Sequence, residues 1–366
     1  MEFRSRSVPH LAGHLLLAMA LGAPCGSAAQ GSGDSEGNAA VLEREFPGMF
    51  EALTRLERAH GVLFGQLWLE GEAVRATGED LPTFGFEFDM VERLTFLLQA
   101  DGTADEVAEE AAAGFAVLGS RGAEIIARGN AFYREVLVIL ADERVTDRRA
   151  ELAEAVQRYR SKPAVALSPL PKDMDVLYDH QHAQAFRGGY ADLGGVIWAG
   201  HWMKLAATEP LTDFPGRAER LAGLDTVTNR FYSKLSYGQP PEFFPTELPM
   251  APAIAPGIIF LSSESAVIWD NLAMMQEVLA DVIAAPGLQD VRGAVDAVID
   301  HFMDPTYGVT DVGDWESMAL GHGIFYQGGY PLGDMTTSEL NGGGHAAHLA
   351  ALGRRPAPIL IRGMPE

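Results

Sequence analysis

The sequence predicts an all-α protein: a bundle-like, multi-helix architecture in one large domain or two packed helical domains, with long proline- and glycine-rich loops. Two observations support this fold class. Apolar residues recur at three- and four-residue spacing in several segments, which is typical of helices with one buried face. No segment sustains the alternating pattern of a half-buried strand. Hydrophobic residues make up 47% of the 366 residues and charged residues 21%, so the chain can bury a sizeable core.

The N-terminal residues 1–29 have the organisation of a secretory signal peptide. Two arginines give a basic start, residues 11–23 form a largely apolar run, and small residues precede Gln30. A run of this length is too short for a permanent membrane span. We therefore expect cleavage before Gln30 and export to the periplasm or the medium. Residues 30–38 then form a flexible tether, and the mature chain has no transmembrane segment.

Cys25 is the single cysteine of the chain. It offers an alternative in which the exported protein is a lipoprotein anchored through this residue. The proline before it and the poor match to the small-residue pattern of lipoprotein signals favour cleavage instead. Once the signal peptide is removed, no disulfide can form, and metal sites with several thiolate ligands are excluded.

The chain is strongly acidic, with a formal net charge of −23 at pH 7. A field of this sign repels nucleic acids and anionic membrane surfaces, so nucleic acid is not an expected partner. The same field attracts cations and basic partners. Acidic side chains also keep an exported protein in solution, which explains the charge without any specific partner.

Residues 39–160 are predicted to form an N-terminal helical region. A first helix runs to His60, which we expect to lie in solvent at the helix end, just before Gly61. Residues 62–69 fit either a strand or a helix. Further along, a capping box that begins at Thr103 opens a helix, and two more helices follow after short connections. These elements predict an antiparallel helical layer.

Residues 161–176 are spaced by prolines and predict an extended linker to a C-terminal helical region, residues 177–366. This half opens with residues 178–202, which we expect to form a buried central helix, bent at its glycine pairs. Six prolines between residues 238 and 257 exclude a regular element there. A helix that begins at Ser263, followed by a turn and a returning helix, predicts an αα-hairpin.

Histidines concentrate in the C-terminal half of the chain. Seven of the ten histidines lie at or after position 180. Imidazole is a common ligand of transition metal ions and a common acid–base group, so these residues are candidate ligands of a transition metal ion. Asp179 is added to this set because it lies three residues before His182, one turn away if the segment is helical. The candidate ligands are Asp179, His180, His182, His201, His301, His322, His345 and His348.

Spacing restricts how these ligands can combine. Asp179 and His182 share one face if the segment is helical, as carboxylate and imidazole ligands do in helical metal sites. His201 lies too far along the same helix to bind the same ion directly. His345 and His348 follow three glycines at a predicted helix start, where the helix dipole favours the neutral imidazole that binds metals. This end of the chain is therefore a second candidate site.

Three functional hypotheses follow. The leading one is an exported helical protein that binds a metal ion or a small cofactor through histidines of the C-terminal half. The second is a non-catalytic interaction module of the cell envelope, which presents residues 238–260 to a protein partner. The third is a metal-dependent or acid–base enzyme, in which histidine and aspartate side chains converge in a closed pocket. Such an enzyme requires His182 or His201 to lie beside Asp270, His301 or His322.

Overall fold

The computed structural model describes residues 32–78, 84–101, 104–236, 248–321 and 360–365. These residues form fourteen α-helices and no strand, so the predicted all-α, multi-helix fold is confirmed. The helices are α1 (Ser32–Glu45), α2 (Pro47–Thr77), α3 (Phe84–Phe96), α4 (Asp105–Ala116), α5 (Gly119–Ala141), α6 (Arg148–Arg160), α7 (Val176–Asp179), α8 (Ala185–Gly189), α9 (Ala191–Asp213), α10 (Arg217–Ser236), α11 (Ala251–Ile254), α12 (Pro256–Ala284), α13 (Val291–Met303) and α14 (Val312–Gly321).

Helix α1 begins inside the predicted tether. Residues 32–38, expected to be flexible, are the first turns of this helix. The physical reason is that Leu42 is fully buried in the core and fixes the helix, and each further residue then adds one backbone hydrogen bond at little cost. The predicted signal peptide and Cys25 lie outside the described residues.

Helix α2 continues well past the predicted end at His60. It runs for 31 residues, with proline in its first turn and Gly78 as its C-cap. Gly78 adopts a left-handed conformation with φ of 71°, and its N–H bonds to the carbonyl of Val74. The prediction of a break at Gly61 was wrong, and residues 62–69 are helical.

The glycines of α2 mark a close helix crossing. A Cβ atom on Gly61 would lie 2.8 Å from the Cα of Ala111, and one on Gly65 would lie 2.9 Å from the Cα of Gly114. Both distances are too short for real side chains. Gly61 and Gly65 therefore allow the backbones of α2 and α4 to touch. This packing keeps α2 helical at Gly61 and Gly65, although glycine by itself destabilises a helix.

Helices α9 and α12 form the centre of the molecule. Every residue of α9 from Leu193 to Leu211 is buried, and α12 is buried from Ser265 to Ala284. The two helices pack on each other, and both contact α2 and α5. Buried side chains of the predicted N-terminal and C-terminal regions belong to one core.

The predicted linker, residues 161–176, packs into this core. Leu167 and Met174 are almost fully buried. The side chain of Asn271 accepts a hydrogen bond from the Lys172 N–H at 3.1 Å and donates to two carbonyl groups of the segment at 2.9 Å. Because one side chain of α12 satisfies this irregular backbone, the proline-spaced segment is held against α12.

The predicted αα-hairpin is confirmed by α12 and α13, which pack on each other. The Asp290 side chain caps α13 and accepts a hydrogen bond from the Gly293 N–H at 2.9 Å. Helix α12 begins earlier than predicted, at Pro256. It bends at Ser262, where the backbone is extended, and this bend lies one residue before the predicted start at Ser263.

The described part of the proline-rich segment is also packed into the core. Met250, Ile254 and Ile258 are completely buried, and residues 251–254 form the short helix α11. Phe260 is an exception, because 76% of its surface is exposed. The interaction-module hypothesis requires an exposed apolar surface across residues 238–260; residues 238–247 lie outside the described residues, so the hypothesis stays a prediction there.

Among the described residues, α12 is the one helix whose length and apolar composition would suffice to cross a membrane. Most of its apolar window is buried against other helices. It also carries three buried acidic residues, Asp270, Glu277 and Asp281, each with a partner inside the protein. Its position in the core therefore accounts for its apolar composition.

Candidate functional site

His201 and Asp270 form a buried pair between α9 and α12. The His201 Nε2 donates to the Asp270 Oδ1 at 2.8 Å. Asp270 also accepts the backbone N–H of Ala251, the first residue of α11, at 3.0 Å. Burial raises the pKa of Asp270, although the hydrogen bond from His201 opposes this shift. Of the groups predicted to converge in an enzyme, these two do meet.

His180 forms a second buried pair, with Asp281. Its Nε2 lies 3.2 Å from the Asp281 Oδ2. The same carboxylate accepts the N–H groups of Gln184, at 3.3 Å, and of Phe186, at 2.8 Å. These bonds favour a turn, in which Gln184 takes a left-handed conformation with φ of 71°, over a continued helix. The predicted single helix over residues 178–202 is therefore wrong at its start.

Asp179 and His182 do not share a helix face. Helix α7 ends at Asp179, and helical structure resumes only at Ala185. The His182 Nε2 instead donates to the backbone carbonyl of Pro365 at 3.0 Å. The predicted carboxylate–imidazole ligand pair is corrected accordingly, because the turn held by Asp281 separates the two side chains.

His301 is buried in the last turn of α13. Its exposed fraction is 4%, and neither ring nitrogen makes a hydrogen bond within the described part of the chain. The ring packs edge-to-face on Tyr307, with centroids 5.6 Å apart, and lies directly under Gly308. Burial, reinforced by the positive charge of Lys172, lowers the pKa of His301 to about 4.

The structure therefore places the predicted ligands in separate environments. In the part of the chain that it describes, no group of three or more histidine and acidic side chains could hold a metal ion. His322, His345 and His348 lie outside the described residues. The metal-binding hypothesis stays a prediction for those three.

His60 is a buried residue that sequence reasoning placed in solvent. It lies in the middle of α2, and its Nε2 donates to the Val196 carbonyl of α9 at 2.8 Å. A Cβ atom on Gly200 would come within 2.7 Å of this nitrogen. The two helices meet at this point because Gly200 has no side chain. The prediction failed because it ended the helix at Gly61.

A small cavity lies between His60 and His201. Its volume is about 10 Å³, which is room for about one water molecule. Lys204 also lines it, and its Nζ donates to the Asn130 Oδ1 at 2.6 Å. Burial lowers the pKa of Lys204. Although acid–base groups converge here, the cavity has no room for an organic substrate beside them.

The buried carboxylates have a structural role. Asp270 and Asp281 accept N–H groups at the starts of α11 and α8, respectively. Glu209 does the same for α12, accepting the Gly257 N–H at 3.0 Å. The first N–H groups of a helix have no partner inside that helix, and a buried one is costly. These side chains of α9 and α12 thus fix three helix starts against the core.

The pH dependence of stability tests the environment of His60. Burial lowers its pKa to about 4, against 6.5 for the unfolded chain. As the pH falls below 6.5, His60 becomes protonated in the unfolded chain. In the folded protein it stays neutral down to about pH 4. This contribution to stability is present above pH 6.5 and is lost toward pH 4, by about 3 kcal/mol in total.

We expect the free energy of unfolding, measured by urea denaturation, to fall less between about pH 7 and about pH 4.5 in His60→Gln than in the unchanged protein. His182→Gln is the control, because that imidazole is only partly buried. Equal pH profiles for His60→Gln and the unchanged protein would show that His60 is not buried in its neutral form.

A surface groove provides the space that the core lacks. It lies between the C-terminal end of α1, the end of α5 with the loop that follows, and the start of α10. Its volume is about 360 Å³, within the range of small-molecule sites, about 300–1,000 Å³. Its apolar surface comes from Val41, Phe46, Val138 and Ala141. We call it the arginine groove.

The residues that line the arginine groove carry a net positive charge, whereas the whole chain carries a net negative charge. Three acidic residues line it, together with four arginines. Three of the arginines have carboxylate partners close by: Arg44 lies 3.0 Å and Arg217 lies 2.6 Å from Glu45, and Arg144 lies 2.7 Å from Asp142. The lining therefore carries one excess positive charge in a chain of net charge −23. The lining arginines are Arg44, Arg144, Arg217 and Arg220.

Arg220 is the buried arginine of the groove. Only 6% of its surface is exposed, and its Nε donates to the Phe214 carbonyl at 2.8 Å. Arg148 lies nearby, and its pKa is lowered by burial and by the charge of Arg220. Within the described residues, neither guanidinium forms an ion pair. Two neighbouring cations without a carboxylate favour the binding of an anion from solution.

The fold and the groove define an all-α protein with a cationic surface site of small-molecule size. No known family model, curated protein or solved structure matches this chain.

Proposed function

We propose that this protein is an exported binding protein for a small organic anion with an apolar body, such as a medium-chain carboxylate, which it holds in the arginine groove. The single observation that carries the proposal is Arg220, a buried guanidinium without a carboxylate partner among the described residues, at the edge of a partly apolar groove. Export rests on the predicted signal peptide of residues 1–29.

The chemistry of the lining supports an anionic head group. A guanidinium presents several N–H donors in a fixed plane, which suits the two oxygens of a carboxylate. The Nη groups of Arg220 make only long contacts, of 3.4 and 3.5 Å, to backbone carbonyls. Those donors can therefore bind a carboxylate at shorter distance. The arginines also attract an anion that the rest of this acidic chain repels.

The apolar surface of the groove supports the second part of the ligand. Phe46 is 7% exposed, and Val138 and Ala141 are partly buried beside it. An inorganic ion would leave this surface in water, whereas an aliphatic or aromatic body would cover it and gain about 25 cal/mol for each Å² removed from water. An amphipathic anion uses both parts of the lining.

The other two hypotheses draw less support from the described residues. A metal-binding function depends on His322, His345 and His348, for which the structure gives no geometry. An acid–base enzyme would use His201 and Asp270, but the cavity beside them holds about one water molecule. The arginine groove has both the room and a buried guanidinium, that of Arg220, without a carboxylate partner among the described residues.

Calorimetric titration with octanoate tests the proposal. We expect saturable binding with one site per chain, and weaker binding of octanol, which lacks the charge. In an Arg144→Gln/Arg217→Gln double variant, the affinity should fall on the order of tenfold, because removing about 1.4 kcal/mol of electrostatic attraction has that effect. Both arginines are on the surface, so the variant should fold.

The matched control is the Arg121→Gln/Arg149→Gln double variant. It removes the same charge from the chain, but Arg121 pairs with Asp300 and Arg149 packs over the ring of Phe260, and neither lines the groove. Its affinity for octanoate should stay close to that of the unchanged protein. An equal loss in both double variants, or no binding of octanoate by the unchanged protein, would refute the proposed site.

A further inference from the structure

The C-terminal segment 360–365 lies against the turn after α7. The side-chain amide of Gln181 contacts both backbone groups of Ile361: its Nε2 donates to the Ile361 carbonyl at 3.1 Å, and its Oε1 accepts the Ile361 N–H at 3.2 Å. The Gln181 amide therefore makes the same pair of hydrogen bonds to Ile361 that a neighbouring β-strand would make to one residue of a bound peptide.

Two further side chains form hydrogen bonds with backbone carbonyl groups at the two ends of the segment. The Tyr307 hydroxyl donates to the Leu360 carbonyl, and the His182 Nε2 donates to the Pro365 carbonyl at 3.0 Å. The guanidinium of Arg362 lies over the Tyr307 ring, 3.9 Å from its centroid. These bonds come from the loops after α7 and after α13, which together form one side of a groove. We call it the tail groove.

Two side chains of the segment, those of Ile361 and Met364, are buried in the tail groove. Ile361 is 1% exposed and Met364 is 7% exposed, whereas Leu360 is 59% exposed. Ile361 and Met364 also belong to the hydrophobic core. The backbone bonds would accept many sequences, so the buried positions must distinguish them. The groove thus fits a segment with a branched aliphatic residue, a cation immediately after it, and a long aliphatic residue three positions on.

We propose that the tail groove is a peptide-binding site and that residues 360–365 are its ligand, bound as a separable segment. The contacts reported above are those of peptide recognition: backbone hydrogen bonds along the segment and buried side chains at two positions. The chain length between Gly321 and Leu360 supports separability. Residues 322–359 lie outside the described residues and number 38, a chain length that can extend over about 100 Å at about 3.3 Å per residue.

This proposal is independent of the arginine groove, which lies on other helices. The test uses the full chain with an Ile361→Asp substitution, which places a charge in the buried position and releases the segment. A labelled synthetic peptide of residues 360–366, Leu-Ile-Arg-Gly-Met-Pro-Glu, is then added and its fluorescence anisotropy is measured. We expect the variant to bind the peptide at least tenfold more tightly than the unchanged protein, whose own segment occupies the groove.

Two controls assign any binding to the tail groove. A peptide of the same composition with scrambled order should bind at least tenfold more weakly, and adding Gln181→Ala to the variant should reduce peptide binding by a similar factor. Met364→Ser is the second releasing variant, should Ile361→Asp fail to fold, and it should also gain peptide binding. Equal affinity of the unchanged protein and a folded releasing variant, or binding insensitive to Gln181→Ala, would overturn the proposal.

Discussion

Replacing Gly114 by alanine should lower the free energy of unfolding by about 3 kcal/mol. A Cβ atom at this position would overlap the Gly61 carbonyl of α2 and come within 3.2 Å of the Gly65 nitrogen. Both contacts are with backbone, which cannot rotate away as a side chain can. Helix α4 would have to move off α2 and would open the contact that buries one side of both helices. Urea denaturation followed by circular dichroism measures the loss.

Gly85→Ala is the matched control for this prediction. Gly85 also lies in a helix, α3, but no atom of the described residues lies within 4 Å of the position that its Cβ would take. Alanine at an open helical position should raise the free energy of unfolding by about 0.5–1 kcal/mol, because glycine loses more backbone entropy on folding. If Gly114→Ala proved as stable as Gly85→Ala, the close crossing of α2 and α4 would be wrong.

Glu277→Gln should have a comparable or larger effect, about 3–5 kcal/mol. Glu277 and Arg187 are both buried, and the Arg187 Nε lies 2.8 Å from the Glu277 Oε1. Although burial opposes it, the charge of Glu277 raises the pKa of Arg187, so the guanidinium stays ionised in the core. Removing the carboxylate would leave that charge without its ion-pair partner. The free energy of unfolding at neutral pH is the measurement.

Two further variants separate a lost ion pair from a general effect of the substitution. Glu264→Gln makes the same change on the exposed side of α12 and should stay within about 0.5 kcal/mol of the unchanged protein. An Arg187→Met/Glu277→Leu double variant removes both charges and should recover much of the loss, because no uncompensated charge remains. A single Glu277→Gln variant as stable as Glu264→Gln would show that the buried pair is not needed.

The sequence predicted best those helices that bury one face. The apolar residues of α5 and α13 recur at helical spacing because only one side of each helix meets the core, and both helices were found near their true positions. Helix α9 is buried on every side, so its apolar residues carry no periodic signal that could mark its start. The break before it depends on Asp281, about a hundred residues away in the chain.

Glycines at helix crossings account for two wrong predictions, the break at Gly61 and the exposure of His60. Gly61 and Gly65 suggest a weak helix in isolation, and only the presence of Gly114 opposite them explains why α2 continues. The close approach of His60 to Gly200 has the same origin. A sequence shows that glycine leaves room beside the backbone, but it does not show which other residue packs there. These contacts could therefore not be predicted.

The candidate sites show the same limit. The histidines of the C-terminal half were predicted to ligate a metal ion, whereas His180 and His201 each pair with an aspartate of α12. The arginine groove left no signal in the sequence. Its arginines come from three distant segments, and none belongs to a motif. Only the packing of α1, α5 and α10 brings them together.

Methyl NMR of the valine side chains during titration with octanoate tests the central claim most directly, because it locates the ligand. Val41 and Val138 line the arginine groove, whereas Val291 and Val295 lie in α13, which contributes nothing to it. We predict that the methyl signals of Val41 and Val138 shift in proportion to site occupancy and that those of Val291 and Val295 do not move. Shifts confined to α13, or none at Val41 and Val138 when binding is saturated, would contradict the proposed site.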